Sequence, residues 1–166
     1  MSSTITPLMM KSSEREAKNF LVYWRPETVE SQFRLNSLLE YAGSEQFDDR
    51  VQPGDTLWIV SSRDGVLYLL GRLVVGMAMS TAEIEALGHT DLWNSTRHVL
   101  AAEGTAQPMQ QIRLNEVAAD LSFQSTRAPR LKIEQGRVNA QSLQAMRQLT
   151  TESAAMLSRI WEPLPR

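Results

Sequence analysis

The feature that most constrains the fold is a hairpin in the middle of the chain. An apolar run over Thr56–Val60 is followed by Asp64-Gly65, a residue pair that tight hairpin turns prefer, and then by a second apolar run over Val66–Met77. Thr56–Val60 is apolar on both faces, which is typical of a strand inside a sheet. Gly71, in the middle of the returning strand, predicts a bulge that bends the sheet towards a barrel.

The residues before the hairpin predict a strand, a helix and a turn. Asn19–Pro26 is a short apolar run closed by a proline, which predicts a buried strand. From Glu27 to Ala42 the apolar residues recur every three to four positions, and this spacing predicts an amphipathic helix that ends near Gly43. Val51–Asp55 contains Pro-Gly-Asp and predicts a turn.

The residues after the hairpin predict shorter elements. Ser80–Glu83 matches a capping box, so a short helix is expected from there to Gly88. Short strands are expected over His98–Ala102 and Gln110–Leu114, and Asn115 is expected to cap a further helix. Two C-terminal helices are predicted from two apolar sets at helical spacing: Leu143, Met146 and Leu149, then Ala154, Leu157, Ile160 and Trp161.

Length and composition favour one cytoplasmic domain. The chain has 166 residues, of which 42% are hydrophobic and 22% charged, and these are ordinary values for a single globular domain. We expect a flexible segment over residues 1–18 and one domain over 19–166. Without cysteines the chain has neither disulfides nor thiolate metal ligands. It also has no apolar run long enough for a signal peptide or a membrane span.

The charge distribution predicts a local site for polyanions. The net charge is −2, which argues against a large basic surface. Between Gln124 and Thr150, however, there are five basic residues and one acidic residue. Arg127, Arg130 and Lys132 in this stretch are the predicted phosphate-binding residues, although a charged, solvated surface explains the pattern equally well.

No catalytic or cofactor motif is recognisable. His89 and His98 are nine positions apart and match no metal-binding spacing, so no metal is expected. The glycine-rich phosphate loops and the nucleophile elbow of hydrolases are absent as well. We therefore expect no cofactor and no enzymatic activity, with a small nucleotide hydrolase that uses Arg63 and Asp64 as a minor alternative.

Two of the four tryptophans are candidates for ligand contact. Trp24 ends the first predicted strand and Trp93 lies in a polar loop, and an indole face at either place would stack on a nucleobase. Core packing is the alternative for both. Trp58, within an apolar strand, and Trp161, on the last predicted helix, are expected to be core residues.

Polar residues near these positions are candidates for contacts to the edge of a base. Arg25 follows Trp24, and Asn94 follows Trp93. Ser61, Ser62 and Arg63 stand at the end of the first hairpin strand and offer hydroxyl groups and one guanidinium. The same three residues are also compatible with ordinary turn chemistry.

The order of these features resembles the PUA-like superfamily. Tyr23–Pro26, a helix, Val51–Val60 with its Pro-Gly-Asp turn, and Leu67–Gly76 are similar to the EVE branch and more distantly to the ASCH and YTH branches, over about residues 19–80. The resemblance implies a small curled mixed β-barrel with flanking helices. It also implies binding of DNA or RNA, often with one modified base in an aromatic pocket. By position, Trp24 and Ser61-Ser62-Arg63 match the lining of that pocket, and Trp93 would be a second wall.

The leading hypothesis is therefore a reader of a base in nucleic acid, in which Trp24 and Trp93 stack on the base. Ser62 and Asn94 would contact its edge. The resemblance also implies a place in a restriction or defence system, with a nuclease partner or a homodimer. The main alternative is a protein-interaction module that uses exposed aromatic residues and the two C-terminal helices.

Overall fold

The predicted hairpin lies at the centre of a mixed sheet. The structure is a computed structural model that describes residues 16–35, 38–44, 46–47, 50–88 and 97–161. The strands are β1 (Asn19–Tyr23), β2 (Tyr41–Gly43), β3 (Thr56–Arg63), β4 (Val66–Ser80), β5 (Arg97–Ala101), β6 (Ile112–Arg113), β7 (Ile133–Glu134), β8 (Arg137–Val138) and β9 (Arg147–Gln148). The helices are α1 (Pro26–Leu35), α2 (Thr81–Ala86), α3 (Asn115–Ala118) and α4 (Thr151–Ile160), and Ala140–Leu143 is a 3-10 turn. The predicted α+β class is confirmed.

The sheet combines one parallel pair of strands with antiparallel pairs. β3 and β4 form the hairpin, and Asp64 and Gly65 at its tip have φ of +53° and +79°, as a type I′ turn requires. β1 lies parallel to β3. The strand order is β2-β5-β4-β3-β1-β9, with β6 paired to β4 beside this path. Over the described residues the path is open at β2 and β9, so closure into a barrel is not confirmed.

Two irregularities in β4 bend the sheet. Opposite the step from Ile59 to Val60, β4 contains one extra residue, Leu70, beside Gly71. A second shift of register, against β5, lies at Gly76. The first part of β4 therefore pairs with β3 and β6, and its last part pairs with β5. The bulge predicted at Gly71 is confirmed, and it curls the sheet because bulges increase local twist.

The Pro-Gly-Asp turn joins β1 to the hairpin. Asp55 is fully buried, and its carboxylate accepts the backbone N–H groups of Lys18 and Gln52, both at 2.9 Å. The Asp55 carbonyl accepts the N–H of Val75 at 2.8 Å. Gly54 has φ of +95°, a conformation that favours glycine. This turn thus fixes the start of β1 beside β3 and β4.

The sheet separates two hydrophobic clusters. Successive strand residues point to opposite faces, so Leu57 and Ile59 enter the cluster under α1, whereas Trp58 and Val60 enter the cluster under α3 and α4. Trp58 and Trp161 are 1% and 3% exposed. The prediction that both are core residues is confirmed.

The helix predicted over Glu27–Ala42 is only partly right. α1 ends at Leu35, and Tyr41–Gly43 forms β2, in which Ala42 pairs with Val99 of β5. Leu39 and Ala42, whose spacing suggested more helix, are instead buried next to residues that lie far away in the sequence, because Leu39 forms a bridge with Gln107 and Ala42 pairs with Val99. Pro26, expected to end the first strand, occupies the first position of α1, where its missing N–H costs nothing.

One α-helix, rather than two, follows residue 139 in the described chain. Ala140–Leu143 is a single 3-10 turn, and the Asn139 side chain caps it by accepting the N–H of Gln141 at 2.8 Å. Arg147–Gln148 extends the sheet as β9 beside β1. Leu143 and Met146, which suggested one helical face, are buried in different clusters.

The short helices begin in different ways. α2 has the predicted capping box, in which the Ser80 hydroxyl accepts the N–H of Glu83 and the Glu83 carboxylate accepts the N–H of Ser80. The prediction that Asn115 caps α3 is wrong: Leu114 occupies the cap position, and the Asn115 side chain accepts the N–H of Leu67 at 2.6 Å. Among the described helices, none is long and apolar enough to cross a membrane.

Candidate nucleic-acid interface

Three neighbouring cavities lie around the start of α1 and the β9 edge of the sheet. The β3–β4 cavity, of about 50 Å³, is lined by Pro26, Val29, Ser61, Ser62, Arg63, Tyr68, Leu70 and Gln111. The central cavity, of about 190 Å³, is lined by Val22, Tyr23, Trp24, Arg25, Thr28, Gly43, Ser44, Gln46, Gln144 and Met146. The arginine cavity, of about 240 Å³, is lined by Arg50, Phe123, Gln124, Ser125, Met146, Arg147 and Gln148.

The β3–β4 cavity contains the predicted serine and arginine residues. Ser61 pairs with Tyr68 across the hairpin, so both side chains lie on one face of the sheet. Ser61 and Ser62 are 5% and 9% exposed, whereas Arg63 is exposed. The Ser62 hydroxyl lies 3.4 Å from the hydroxyl of Tyr23, which lines the central cavity. This cavity therefore has polar groups at one wall and a guanidinium at its mouth.

The central cavity contains the other predicted pair, Trp24 and Arg25. The backbone N–H of Trp24 donates to the Val60 carbonyl at 2.8 Å, which prolongs the pairing of β1 with β3 by one residue. The Trp24 side chain is 2% exposed and packs in the cluster under α1, so it forms a wall rather than an open stacking surface. Arg25 is exposed beside it.

One glutamine side chain holds two walls of the central cavity together. The Gln46 side-chain amide donates to the Gln144 carbonyl at 3.0 Å, and its oxygen accepts the backbone N–H of Met146. The Ser44 hydroxyl accepts the N–H of Gln46 at 3.1 Å. Both hydrogen-bonding functions of the Gln46 amide are thus used within the protein. Thr28 and the exposed Gln144 provide further polar groups at the cavity.

The structure divides the predicted base-pocket residues between two adjacent cavities. Trp24 and Arg25 line the central cavity, and Ser61, Ser62 and Arg63 line the β3–β4 cavity. The two cavities adjoin because Arg25 and Pro26 are consecutive. Trp93 and Asn94, the other two predicted residues, lie outside the described residues. The role of each of these residues in ligand binding stays a prediction.

The predicted phosphate-binding residues lie on an exposed stretch. The Arg130 guanidinium donates to the Ala119 carbonyl at 3.2 Å, and Lys132 forms an ion pair with Glu134 at 3.6 Å. Arg127 is exposed. Their role also stays a prediction.

Sequence reasoning missed the residues that complete these cavities. Tyr68 was detectable in principle, because the hairpin register places it opposite Ser61. Gln46, Gln144 and Met146 carry no local signal, since they meet across about 100 positions of sequence. Among the described residues, no three His, Cys, Asp or Glu side chains are grouped so as to hold a metal ion.

Comparison with known proteins shows a distant similarity in structure. No protein-family model matches the chain, and no curated protein sequence matches it. Among solved structures, it is similar to the human THYN1 protein in complex with 5-methylcytosine-containing DNA. The two chains share 12% sequence identity, the alignment covers 90% of this chain and 100% of that chain, and the TM-score is 0.46.

Proposed function

We propose that the chain is a nucleic-acid-binding domain that holds one base in the central cavity and does not catalyse a reaction. The observation that carries the proposal is the composition of this cavity. Its apolar walls are Tyr23, Trp24 and Met146, and polar groups of Thr28 and Gln144 stand among them. Small-molecule sites typically combine apolar walls with a few polar groups in this way.

The chemistry of the central cavity suits a nucleobase. A base needs flat or deformable apolar contacts on its faces, which Tyr23 and the Met146 thioether supply. It also needs donors and acceptors at its edge, and the Gln144 amide and Thr28 hydroxyl offer both kinds. The exposed Arg25 beside the cavity supplies a cation for a phosphate.

The resemblance to PUA-like domains supports the same site. Trp24, which that resemblance places in the pocket, lines this cavity, as does Arg25 next to it. A methyl group on the base would contact apolar side chains such as Val22 and Met146. Since burial of one such group is worth about 0.8 kcal/mol, we expect a methylated base to bind roughly fourfold more tightly than the plain base.

A titration with labelled oligonucleotides tests the proposal. The probes carry cytosine, 5-methylcytosine, 5-hydroxymethylcytosine, adenine or N6-methyladenine at one position, and fluorescence anisotropy is followed at low salt. 5-Methylcytosine is also the modified base in the DNA of the human THYN1 complex. We expect binding of at least one probe, weakened roughly tenfold by Gln144→Ala or Thr28→Val, because each removes an edge contact.

A matched pair of arginine variants controls for charge. Arg25→Gln at the cavity should weaken binding, whereas Arg34→Gln, which makes the same change at the other end of α1, should not. Gln111→Ala probes the β3–β4 cavity instead. If no probe binds, or if Gln111→Ala weakens binding while Gln144→Ala and Thr28→Val leave it unchanged, the central cavity is not the base site.

No described contact favours the alternative of a protein-interaction module. α4, one of the two helices expected to form the partner surface, buries Ala154 and Leu157 against the core of this chain. A nuclease partner, a homodimer and a place in a defence system stay predictions.

A further inference from the structure

The arginine cavity contains two guanidinium groups that rest on aromatic rings. The Arg147 guanidinium lies 3.8 Å from the centroid of the Phe123 ring, and that of Arg50 lies 5.7 Å from the centroid of Phe20. Both rings are buried, at 4% and 1% exposure. A guanidinium held against a ring still has N–H donors at its edge for a planar or tetrahedral anion.

Carbonyl groups hold both arginines in place without neutralising them. Arg147 donates to the carbonyls of Ala128 and Ser142, and Arg50 donates to the carbonyl of Met146 at 3.4 Å. Of the described residues that line the cavity, none is Asp or Glu. Each guanidinium carries five donors, so these bonds leave several free to bind a ligand. Burial lowers the pKa of Arg147, because desolvation disfavours its charged form. An anion in the cavity would offset that cost.

We propose that the arginine cavity binds a phosphate group between Arg50 and Arg147, with the polar side chains of Gln124 and Ser125 as further contacts. Arg50 and Arg147 were not among the residues predicted to bind phosphate. Arg147 belongs to the basic stretch of the sequence and is half-buried, whereas Arg127 and Arg130 are exposed, as is Arg50.

The position of the cavity favours a nucleic-acid strand as the source of the phosphate. Met146 lines both the arginine cavity and the central cavity, so the two are adjacent. This assignment rests on the proposed function: a strand with one base in the central cavity would place a neighbouring phosphate on Arg50 and Arg147. Inorganic phosphate presents the same chemistry, and the experiment separates the two sources.

The test compares Arg50→Gln with Arg159→Gln, an exposed arginine on α4 that provides the same change of charge outside the cavity. Affinity for an unmodified single-stranded octamer is measured by anisotropy at several salt concentrations. Arg50→Gln should weaken binding about tenfold at low salt and reduce the slope of log K against log salt by about 0.7 to 1, the value for one lost phosphate contact. Arg159→Gln should change neither quantity.

A second variant and a second probe complete the test. Arg147→Lys keeps a positive charge but loses the planar fork, so it should weaken binding while the salt slope stays near the wild-type value. Its melting temperature reports whether the Phe123 and Ala128 contacts still support the fold. Inorganic phosphate is titrated separately while the Arg Nε–H signals are followed by NMR. Perturbation of these signals in the wild type, with no effect of Arg50→Gln on the octamer, would support the site but assign it to free phosphate.

The outcomes separate this proposal from the base site. If Gln144→Ala and Thr28→Val leave binding unchanged while Arg50→Gln still weakens it, the base site alone is refuted. If Arg50→Gln and Arg159→Gln bind the octamer equally and inorganic phosphate leaves the Arg signals unchanged, the phosphate site is refuted.

Discussion

Replacement of Asp55 by asparagine hardly changes the volume of the side chain, yet we expect it to destabilise the fold strongly. The Asp55 carboxylate is fully buried and accepts the N–H groups of Lys18 and Gln52, one on each oxygen. Asp55→Asn keeps the shape of the side chain but turns one acceptor oxygen into an NH₂ group. That group then faces a backbone N–H, so one hydrogen bond is lost and two donors oppose each other.

The expected loss of stability follows from these two bonds. Hydrogen bonds to a charged group contribute about 1.5–3 kcal/mol each, and a buried donor left without a partner costs about 1–3 kcal/mol. We expect Asp55→Asn to lower the free energy of unfolding by about 3 kcal/mol, out of the roughly 5–15 kcal/mol of a typical domain. Asp55→Ala removes both acceptors and should cost more.

Urea unfolding followed by tryptophan fluorescence measures this change. With a slope of about 2 kcal/mol per molar urea, a loss of 3 kcal/mol moves the midpoint down by about 1.5 M. Asp64→Asn is the control, because Asp64 is exposed at the hairpin tip and asparagine tolerates its positive φ. If the two variants had midpoints within about 0.3 M of each other at equal slope, the carboxylate would not be holding the turn as argued.

Three further substitutions test the bend of β4 and the attachment of the hairpin tip. Gly76→Ala should cost about 1–3 kcal/mol by thermal unfolding, because its Cβ would lie 2.7 Å from the backbone Cα of Ala102. Gly71→Ala should cost less, since its Cβ meets the flexible end of Leu39, and an equal loss would contradict this reasoning. Asn115→Ala should lower the free energy of unfolding by about 2 kcal/mol, because it leaves the Leu67 N–H without its side-chain acceptor. Amide exchange of Leu67 should become faster, and unchanged protection of that amide would show that the contact is unimportant.

The parts of the fold that depend on residues close together in the sequence could be predicted from the sequence. The Asp64-Gly65 turn, the bulge beside Gly71 and the capping box at Ser80 each depend on residues a few positions apart, and all three are confirmed. β2 and β9 were missed because each becomes a strand only by pairing with a strand far along the chain. Their apolar spacing fits a helix equally well, and only the tertiary partner decides between the two structures.

The residues of the candidate site also divide into those with a local signal in the sequence and those without one. Trp24, Arg25 and the Ser61–Arg63 segment were predicted because strand ends are visible in the sequence. The sequence does not show that Arg50 and Arg147 line the same cavity, because their proximity depends on where β9 pairs with β1. The basic stretch was noticed as a run of charge, yet its composition does not reveal that Arg147 turns inward onto Phe123 while Arg127 stays exposed.

The bridge made by the Gln46 amide has a consequence for the order of events during synthesis. Its partners, Gln144 and Met146, follow it by 98 and 100 positions and therefore leave the ribosome long after it. A growing chain can complete the central hairpin long before then, but the wall formed by residues 144–146 cannot yet exist. Ligand capture should therefore begin only after residues 144–146 have left the ribosome, and a nascent chain halted before residue 144 would display the sheet without the complete cavity.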